Sequence, residues 1–159
     1  MAFGGSVGRV EAALAARGLE DRILEVPSSA RTAPEAAAAI GCSVAQIAKS
    51  LVFRGAHSGS AVLVVASGSN RVDEARLATL LGEAVIRPDA AFVRAATGFA
   101  IGGVPPLAHA TALRTVLDRD LLALDPIWAA AGAPHAVFRL SAQELLAITG
   151  GEVADVKSG

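Results

Sequence analysis

The chain is organised around a glycine- and proline-rich stretch at residues 97–109, which reads TGFAIGGVPPLAH and contains no Asp, Glu, Lys or Arg. Gly102 and Gly103 have no Cβ, so the backbone can turn sharply there and approach a ligand closely. Pro105 and Pro106 restrict their own φ and favour extended geometry in the residue before them. The stretch therefore predicts a stiff loop with uncovered backbone amides.

Two interpretations of this loop are open from its residues alone. Rigid, uncovered amides can bind an oxyanion or a phosphate, which would be a functional role. Glycine and proline also mark ordinary turns between strands, and for an isolated motif of this kind a structural turn is the more common case. The other motifs of the chain help to distinguish an anion-binding loop from a structural turn.

Length and composition predict a single domain over residues 1–159, large enough to bury a full core. Hydrophobic residues make up 53% of the chain and charged residues 18%, which argues against disorder. The sequence has neither an apolar run near the roughly 18 residues of a membrane span nor a basic segment followed by an apolar core, so we expect no membrane association and no signal peptide. The formal net charge of −1 means that any contact with nucleic acid is local.

The single cysteine, Cys42, cannot form an internal disulfide. This is typical of a reducing compartment, so we expect a cytoplasmic protein. Cys42 follows a glycine at a predicted helix end and has no partner motif. We interpret it as a small buried hydrophobic residue in preference to a nucleophile.

Hydrophobic periodicity and turn residues predict about seven strands and four or five helices. The predicted strands lie at residues 23–26, 48–54, 61–66, 85–87, 112–117, 127–131 and 136–140, with a further edge strand at 153–156. The predicted helices lie at residues 7–17, 33–40, 72–81, 90–95 and 142–149, with short helical pieces at 44–47 and 121–124. Several neighbouring strands are joined by turns too short for a parallel crossover. The sequence therefore predicts an α+β fold with a mixed, largely antiparallel sheet and packed helices.

Lys49 is the first candidate for chemistry, because it places a charge at the start of an apolar strand. A lysine in such a position can extend its ammonium group to the surface and have no further role. The alternative is an ammonium group held at the mouth of a pocket, where it would bind a phosphate or a carbonyl oxygen. Both interpretations stay open at this point.

The other titratable candidates are scattered along the chain. His57, His109 and His135 lack metal-site spacing and the chain has no cysteine pair, so we expect no metal. His135 is placed to face the same cleft as His109, although a plain surface histidine is the more common case. Asp118 ends an apolar strand, where it could orient a loop, bind a ligand hydroxyl or cap a turn. No G-x-S-x-G elbow, Walker loop or G-x-G-x-x-G motif is present.

Two motifs are specific in combination, namely QIAKSLVF at residues 46–53 and GGVPP at residues 102–106. Supporting segments lie at residues 32–41, 68–73, 97–99, 118–122, 131–132, 141–146 and 149–150. With these segments the chain resembles the YbaK/ProX family of aminoacyl-tRNA deacylases, and also the editing domain inserted in bacterial prolyl-tRNA synthetases. The resemblance covers nearly the whole chain and implies the corresponding α+β fold.

The resemblance implies a trans-editing deacylase for translation fidelity, which hydrolyses the ester between a wrong amino acid and the 3′ adenosine of a tRNA, with tRNA(Pro) expected. It implies no metal, no cofactor and no protein nucleophile. Lys49 would bind the terminal phosphate or the aminoacyl group. The amides of Gly102, Gly103 and Val104 would stabilise the oxyanion. A hydroxyl of the terminal ribose, or the thiol of a cysteinyl substrate, would assist the attack.

We also predict substrate contacts by Gly68, Pro105, Pro106, Asp118 and His135. The implied partner is the acceptor end of an aminoacyl-tRNA, with prolyl-tRNA synthetase as a further candidate and the oligomeric state left open. The alternative function is a non-catalytic module that binds tRNA ends or a synthetase. A small-molecule ester or amide hydrolase is disfavoured, because no activated nucleophile is evident.

The chain departs from the family pattern at two positions. The family loop usually carries a glycine two residues after its proline, where this chain has Ala108. His135 stands where many members carry another residue. These differences bear on the preferred amino acid more than on the reaction, and the sequence leaves open which amino acid is removed and from which tRNA.

Overall fold

The computed structural model describes residues 2–159, which form one eight-stranded sheet with five α-helices packed on it. The strands are β1 (Ile23–Glu25), β2 (Ile47–Gly55), β3 (Ala61–Ser67), β4 (Val85–Ile86), β5 (Arg114–Asp118), β6 (Ile127–Ala133), β7 (Ala136–Leu140) and β8 (Glu152–Ala154). The helices are α1 (Gly5–Ala15), α2 (Ala33–Ile40), α3 (Glu74–Leu81), α4 (Ala90–Thr97) and α5 (Ala142–Thr149), with 3₁₀ helices at Val44–Gln46 and Arg119–Ala123. None of the helices in this part of the chain has the length and apolar character that crossing a bilayer requires.

The strands follow the order β1-β7-β6-β2-β3-β5-β8, and β4 pairs with β2 outside this path. The pairs β1/β7, β6/β7, β2/β3 and β2/β4 are antiparallel. The pairs β2/β6, β3/β5 and β5/β8 are parallel. The predicted α+β class with a mixed, largely antiparallel sheet is confirmed, and β8 is the further edge strand expected near the C-terminus.

Capping residues set the helix boundaries that matter for the site. The Thr32 side chain accepts a hydrogen bond from the Glu35 amide at 3.3 Å, and the Glu35 carboxylate accepts one from the Thr32 amide at 3.1 Å. This reciprocal pair satisfies two donors of the first turn of α2. The helix ends at Gly41, whose φ of +87° is the left-handed geometry that glycine adopts without strain.

Helix α3 begins at Glu74, later than the predicted residue 72. The cause is the Asp73 side chain, which accepts hydrogen bonds from the amides of Ala75 and Arg76 at 3.0 and 3.2 Å. Aspartate is among the best N-cap residues, because its oxygen satisfies amides that have no partner within the helix.

The sheet separates two apolar clusters, and strand β3 contributes to both. Leu63 and Val65 belong to the larger cluster, which includes residues of α1, α4 and α5. Val62 and Val64 belong to the smaller cluster on the other face. Side chains of a strand alternate between faces, so a strand buried on both faces is apolar throughout, as predicted for this segment.

One edge of the central strand β2 is open in its middle. Strand β3 pairs along the full length of the other edge. On the open side, β6 pairs with Ile47 and Ala48, and β4 pairs with Arg54 and Gly55. No other strand in the described part of the chain pairs with this edge. The sheet therefore has a gap beside residues 49–53.

The alternation of hydrogen bonds along β2 determines which backbone groups face the gap. The Gly55 amide donates to the Ser60 carbonyl on the β3 side at 2.9 Å. Successive residues of a strand direct their N–H and C=O groups to opposite edges. The odd-numbered residues of β2 therefore bond to β3, and the N–H and C=O groups of Ser50 and Val52 point into the gap.

Candidate functional site

A cavity of about 290 Å³ lies at the gap in the sheet, and we call it the first cavity. Its walls come from the first turn of α2, from β2 and β6, and from the glycine–proline loop. Lys49 lines it from β2, and Gly102 and Val104 line it from the loop. The structure thus brings the predicted lysine and two of the three predicted amide-bearing residues into one cavity.

The Lys49 ammonium group is half-buried and has no hydrogen-bond or ion-pair partner within residues 2–159. Burial lowers the pKa of Lys49 below the usual lysine value, and the positive charge of Arg87 lowers the pKa further. The carboxylate of Asp118 acts in the opposite direction on this pKa. A partly desolvated ammonium group without a partner is available to an anion or to a carbonyl oxygen.

Two backbone amides of the loop are also without acceptors. The amides of Gly102 and Val104 donate to no group within the described residues. Gly102 has a φ of +91°, a conformation that residues with a side chain rarely adopt, so the glycine holds the loop in this shape. Unpaired N–H groups on a rigid loop are the donors that an oxyanion site requires.

Gly103 has a different environment from its two neighbours. Its amide donates to the Ala100 carbonyl at 3.1 Å, and it does not line the cavity. A Cβ at this position would lie 2.7 Å from the Cα of Ala133, so glycine is needed for the loop to pack against β6. The role of the Gly103 amide as an oxyanion donor stays a prediction, and the mechanism proposed below uses the two unpaired amides.

Pro105 and Pro106 are buried and do not line the cavity. The Pro105 carbonyl oxygen lies 2.7 Å from Nε2 of His109, which must donate this hydrogen bond because a carbonyl can only accept. Burial lowers the pKa of His109, which keeps the ring neutral at physiological pH. The two buried prolines stiffen the loop, and a substrate contact by Pro105 or Pro106 stays a prediction.

Gly68 also has a packing role. Its amide donates to the Ile47 carbonyl at 2.6 Å. A Cβ would collide with the Val44 carbonyl oxygen and would lie 3.1 Å from the Cβ of Ala33. Gly68 lets β3 pass close to the start of β2 and does not line the first cavity, and a substrate contact by Gly68 stays a prediction.

Asp118 lies at the end of β5 and is only 1% exposed. Its carboxylate accepts hydrogen bonds from the Ser67 amide at 3.0 Å, from the Asn70 side-chain amide at 2.8 Å and from the Asp120 amide at 3.0 Å. These bonds occupy both oxygens, and Asp118 does not line the cavity. These bonds give Asp118 a structural role beside its electrostatic effect on Lys49, and a substrate contact by Asp118 stays a prediction.

His135 is exposed in the turn between β6 and β7. It lines a shallow depression of about 390 Å³ together with Arg31, Gly102 and Pro134. This depression shares Arg31, Gly102 and Pro134 with the first cavity and therefore adjoins it. A substrate contact by His135 stays a prediction.

Several residues of the site were not singled out from the sequence. The Ser50 hydroxyl is buried and has no hydrogen-bond partner within residues 2–159. Arg31 and Trp128 line the first cavity from the segment before α2 and from β6. Ser50 could have been considered, since it follows Lys49 directly. Trp128 and Arg31 carry no local signal, because only the pairing of distant strands brings them to the cavity.

Neither a metal site nor a reactive thiol supplies an alternative chemistry among the described residues. No three His, Cys, Asp or Glu side chains in residues 2–159 are grouped as a metal site would need. Burial raises the pKa of the Cys42 thiol, which disfavours the reactive thiolate.

Comparison with known proteins identifies the family. A family model described as an aminoacyl-tRNA editing domain matches residues 27–148. The protein YwhH of Bacillus subtilis (strain 168) is 32% identical over 126 residues, which cover 79% of this chain and 80% of YwhH. A crystal structure described as a proposed trans-editing enzyme for prolyl tRNA synthetase is 48% identical, with a TM-score of 0.93 over 99% of this chain and 100% of that one. The structure of the hypothetical protein APE2540 is 35% identical, with a TM-score of 0.86 over 94% of this chain and 99% of that one. The chain therefore belongs to the family of aminoacyl-tRNA editing domains.

Proposed function

We propose that this protein is a trans-editing aminoacyl-tRNA deacylase that hydrolyses the ester bond of a mischarged tRNA, with tRNA(Pro) as the expected tRNA. The observation that supports the proposal is that Lys49, Gly102 and Val104 line one cavity, while the Lys49 ammonium group and the amides of Gly102 and Val104 have no partner within residues 2–159. Membership of the editing-domain family supports the same reaction. The similar structure described as a proposed trans-editing enzyme for prolyl tRNA synthetase supports the choice of tRNA.

In this mechanism, the loop amides hold the ester carbonyl oxygen. Water adds to the carbonyl carbon, and negative charge develops on that oxygen. Gly102 and Val104 donate hydrogen bonds to it, and one such donor is typically worth about 3–4 kcal/mol in the transition state. The ester C–O bond then breaks, and the 3′ oxygen of the ribose takes up a proton to leave as a hydroxyl group.

Water is the proposed nucleophile because no side chain of the cavity is activated. The Ser50 hydroxyl lies in the wall, but it has no hydrogen-bond partner and therefore no adjacent base. His109 is hydrogen-bonded to the Pro105 carbonyl, and His135 does not line the first cavity. A nucleophilic serine requires a base within hydrogen-bond reach. The ribose hydroxyl next to the ester is placed to assist the water.

The size and character of the first cavity favour a small amino acid. Its apolar wall is built mainly from short side chains such as Ala30, Ala33 and Ala36, and Ile47 and Trp128 limit its depth. Alanine, cysteine, serine and threonine all have side chains small enough for such a space. The proposal therefore does not depend on one particular amino acid, and the rates of hydrolysis of the four mischarged tRNAs would rank them as substrates.

The test is to incubate the protein with tRNA(Pro) mischarged with alanine, cysteine, serine or threonine and to measure release of the amino acid. We expect release of at least one of them, and a strong loss of rate in Lys49→Ala. Lys157→Ala is the matched control, because the other lysine of the chain lies far along the sequence in an exposed ion pair with Asp120 at 3.1 Å. Acceptor-end binding without any hydrolysis would instead establish a non-catalytic module.

A further inference from the structure

A second cavity, of about 180 Å³, lies on the other side of the loop tip from the first. The two cavities share Ser50, Leu51, Ile101, Gly102 and Val104 as a common wall. The second cavity is otherwise formed by apolar side chains and by one cation, and these residues are Val52, Phe53, Arg87, Pro88 and Val93. The ester site of the proposed mechanism lies at the common wall, so a substrate that reaches it can extend into both spaces.

The open edge of β2 borders the second cavity. The Ser50 carbonyl and the Val52 amide both point to this edge, and they are neighbours along it. A backbone C=O group followed by the N–H group two residues later pairs with a ring that offers a donor beside an acceptor. Adenine offers this pattern through its exocyclic N6 amino group and the adjacent ring nitrogen N1.

The open edge is too short for an added peptide strand. It extends only over residues 49–53, because β6 closes one end and β4 closes the other. A peptide that binds by strand addition needs a free run along the sheet edge. The loop residues Gly102 and Val104 also face the edge across the cavity, which leaves a slot with apolar walls. A flat aromatic ring fits such a slot better than an extended chain.

Arg87 supplies the charge that a nucleotide requires. Its side chain is 59% exposed, and its Nε lies 3.2 Å from Glu74. Its guanidinium carbon lies 5.5 Å from the centre of the Phe53 ring. These contacts hold a cation beside the second cavity, whereas Lys49 lines only the first.

We propose that the second cavity binds the adenine of the substrate's 3′-terminal nucleotide, with N6 donating to the Ser50 carbonyl and a ring nitrogen accepting from the Val52 amide. Arg87 faces the phosphate of this nucleotide, and Lys49 serves the aminoacyl side in the first cavity. This inference rests on the proposed deacylase function, and it divides the substrate between two subsites that meet at the loop amides.

The binding test uses the unmodified protein and four nucleotides: AMP, purine riboside monophosphate, IMP and CMP. Purine riboside lacks the N6 donor, IMP has an acceptor in its place, and CMP has a donor and an acceptor on a smaller ring. We expect AMP to bind at least tenfold more tightly than each of the others by titration calorimetry. The ¹⁵N NMR shifts caused by AMP should be centred on Val52 and Gly102. Equal affinities, or shifts centred on the first turn of α2, would overturn the proposal.

Two variants separate the base from the phosphate. Val52→Pro removes an N–H group that points into the gap and breaks no bond to β3, and Val52→Ala is its matched control. We expect Val52→Pro to lose the preference for AMP over purine riboside monophosphate. If circular dichroism shows that Val52→Pro does not fold, the affinities of the four nucleotides for the unmodified protein test the adenine subsite. Arg87→Gln should weaken the binding of AMP and leave the binding of adenosine unchanged. Arg71 lines neither cavity, so Arg71→Gln should change neither affinity.

Kinetics distinguish failure of this inference from failure of the proposed function. A mischarged tRNA that ends in purine riboside should show at least a tenfold lower kcat/KM than the same tRNA ending in adenosine. Equal rates on the two tRNAs would refute the adenine subsite and leave the deacylase intact. Absence of hydrolysis on every tRNA, together with selective AMP binding, would refute the deacylase and retain a nucleotide site.

Discussion

Lys49 on β2 and Asp118 at the end of β5 are both charged residues near the centre of the sheet, and the fold treats them in opposite ways. The Asp118 carboxylate is almost fully buried and accepts three hydrogen bonds. The Lys49 ammonium group is half-buried and has no partner within residues 2–159. A buried charge with its bonds made supports the fold, whereas a desolvated charge without a partner is unfavourable and is retained for another reason.

The same contrast extends to the neighbours of the two residues. Around Asp118, the donors that surround the carboxylate have their hydrogen bonds made by it. Around Lys49, the amides of Gly102 and Val104 have no partner in the described part of the chain. Most buried polar groups in proteins are paired, so a cluster of unpaired ones around a single cavity marks the place where a ligand completes them.

The largest effect that this comparison predicts is on catalysis. Lys49→Met should lower kcat/KM for deacylation by about 1,000-fold, the upper range for loss of one charged or oxyanion-stabilising group. The free energy of unfolding should not fall, since the variant removes an unpaired and partly buried charge and keeps the apolar stem. Chemical denaturation and single-substrate kinetics measure the two quantities. Lys157→Met is the control, and a loss of stability in Lys49→Met alone would contradict the comparison.

Asp118→Ala should lower the free energy of unfolding and leave catalysis largely intact, which is the reverse of the result expected for Lys49→Met. It leaves three donors without their acceptor in a buried region, so we expect a loss of about 3 kcal/mol in the free energy of unfolding. The folded fraction should retain most of its kcat, because Asp118 does not line the first cavity. Urea denaturation and activity per folded molecule test this, and an intact stability with a collapsed kcat would return Asp118 to the substrate site.

Glu144 tests whether another charged group with its hydrogen bonds made contributes to the stability of the fold, as is expected for Asp118. Glu144 pairs with Arg22 at 2.9 Å and accepts the Ser141 amide at 2.8 Å, and these contacts, led by the Arg22 hydrogen bond, lower the pKa of Glu144 to about 2. Because the folded pKa lies below the usual value, the stabilisation is complete above about pH 4.5 and is lost as the pH falls toward 2.

Glu144→Gln should therefore cost about 2 kcal/mol of unfolding free energy at pH 7, as an order of magnitude. The variant and the unmodified protein should converge near pH 2, and deacylation should be unchanged because Glu144 lines neither cavity. Denaturation curves across this pH range provide the measurement. A constant difference between the two proteins at all pH values would show that charge is not the cause.

Most of the fold could be predicted from local sequence signals. The capping boxes at Thr32 and Ser141 place two helices, and the apolar run of β3 indicates a strand buried on both faces. These signals are local, since each depends on hydrogen bonds or side-chain alternation within a few residues. The boundary of α3 was predicted too early, because the Asp73 cap was not recognised.

The site was only partly predictable for a physical reason. Lys49 and Gly102 are visible as an isolated charge and as a glycine in a stiff loop. A glycine can be needed either to leave an amide uncovered or to allow close packing. The sequence alone therefore cannot distinguish Gly102, which has an unpaired amide, from Gly103 and Gly68, which pack closely against backbone atoms. The gap in the sheet depends on where β4 and β6 stop along β2, which is a long-range property of strand pairing.

The smallest predicted effect concerns the pKa of Lys49 itself. Burial and then the charge of Arg87 lower this pKa, so the ammonium form that binds substrate is lost at a pH below the usual lysine value. Arg87→Gln removes one of these causes and should raise the pKa, so the alkaline decline of kcat/KM moves to higher pH. Asp118→Asn removes the opposing charge and should move the decline to lower pH. Since Arg87 is 59% exposed, salt should reduce the first shift. The rates are corrected for uncatalysed ester hydrolysis in matched buffer. A corrected rate that rises through this pH range, with no decline, would mean that Lys49 acts as a neutral base and that its predicted role as a bound cation is wrong.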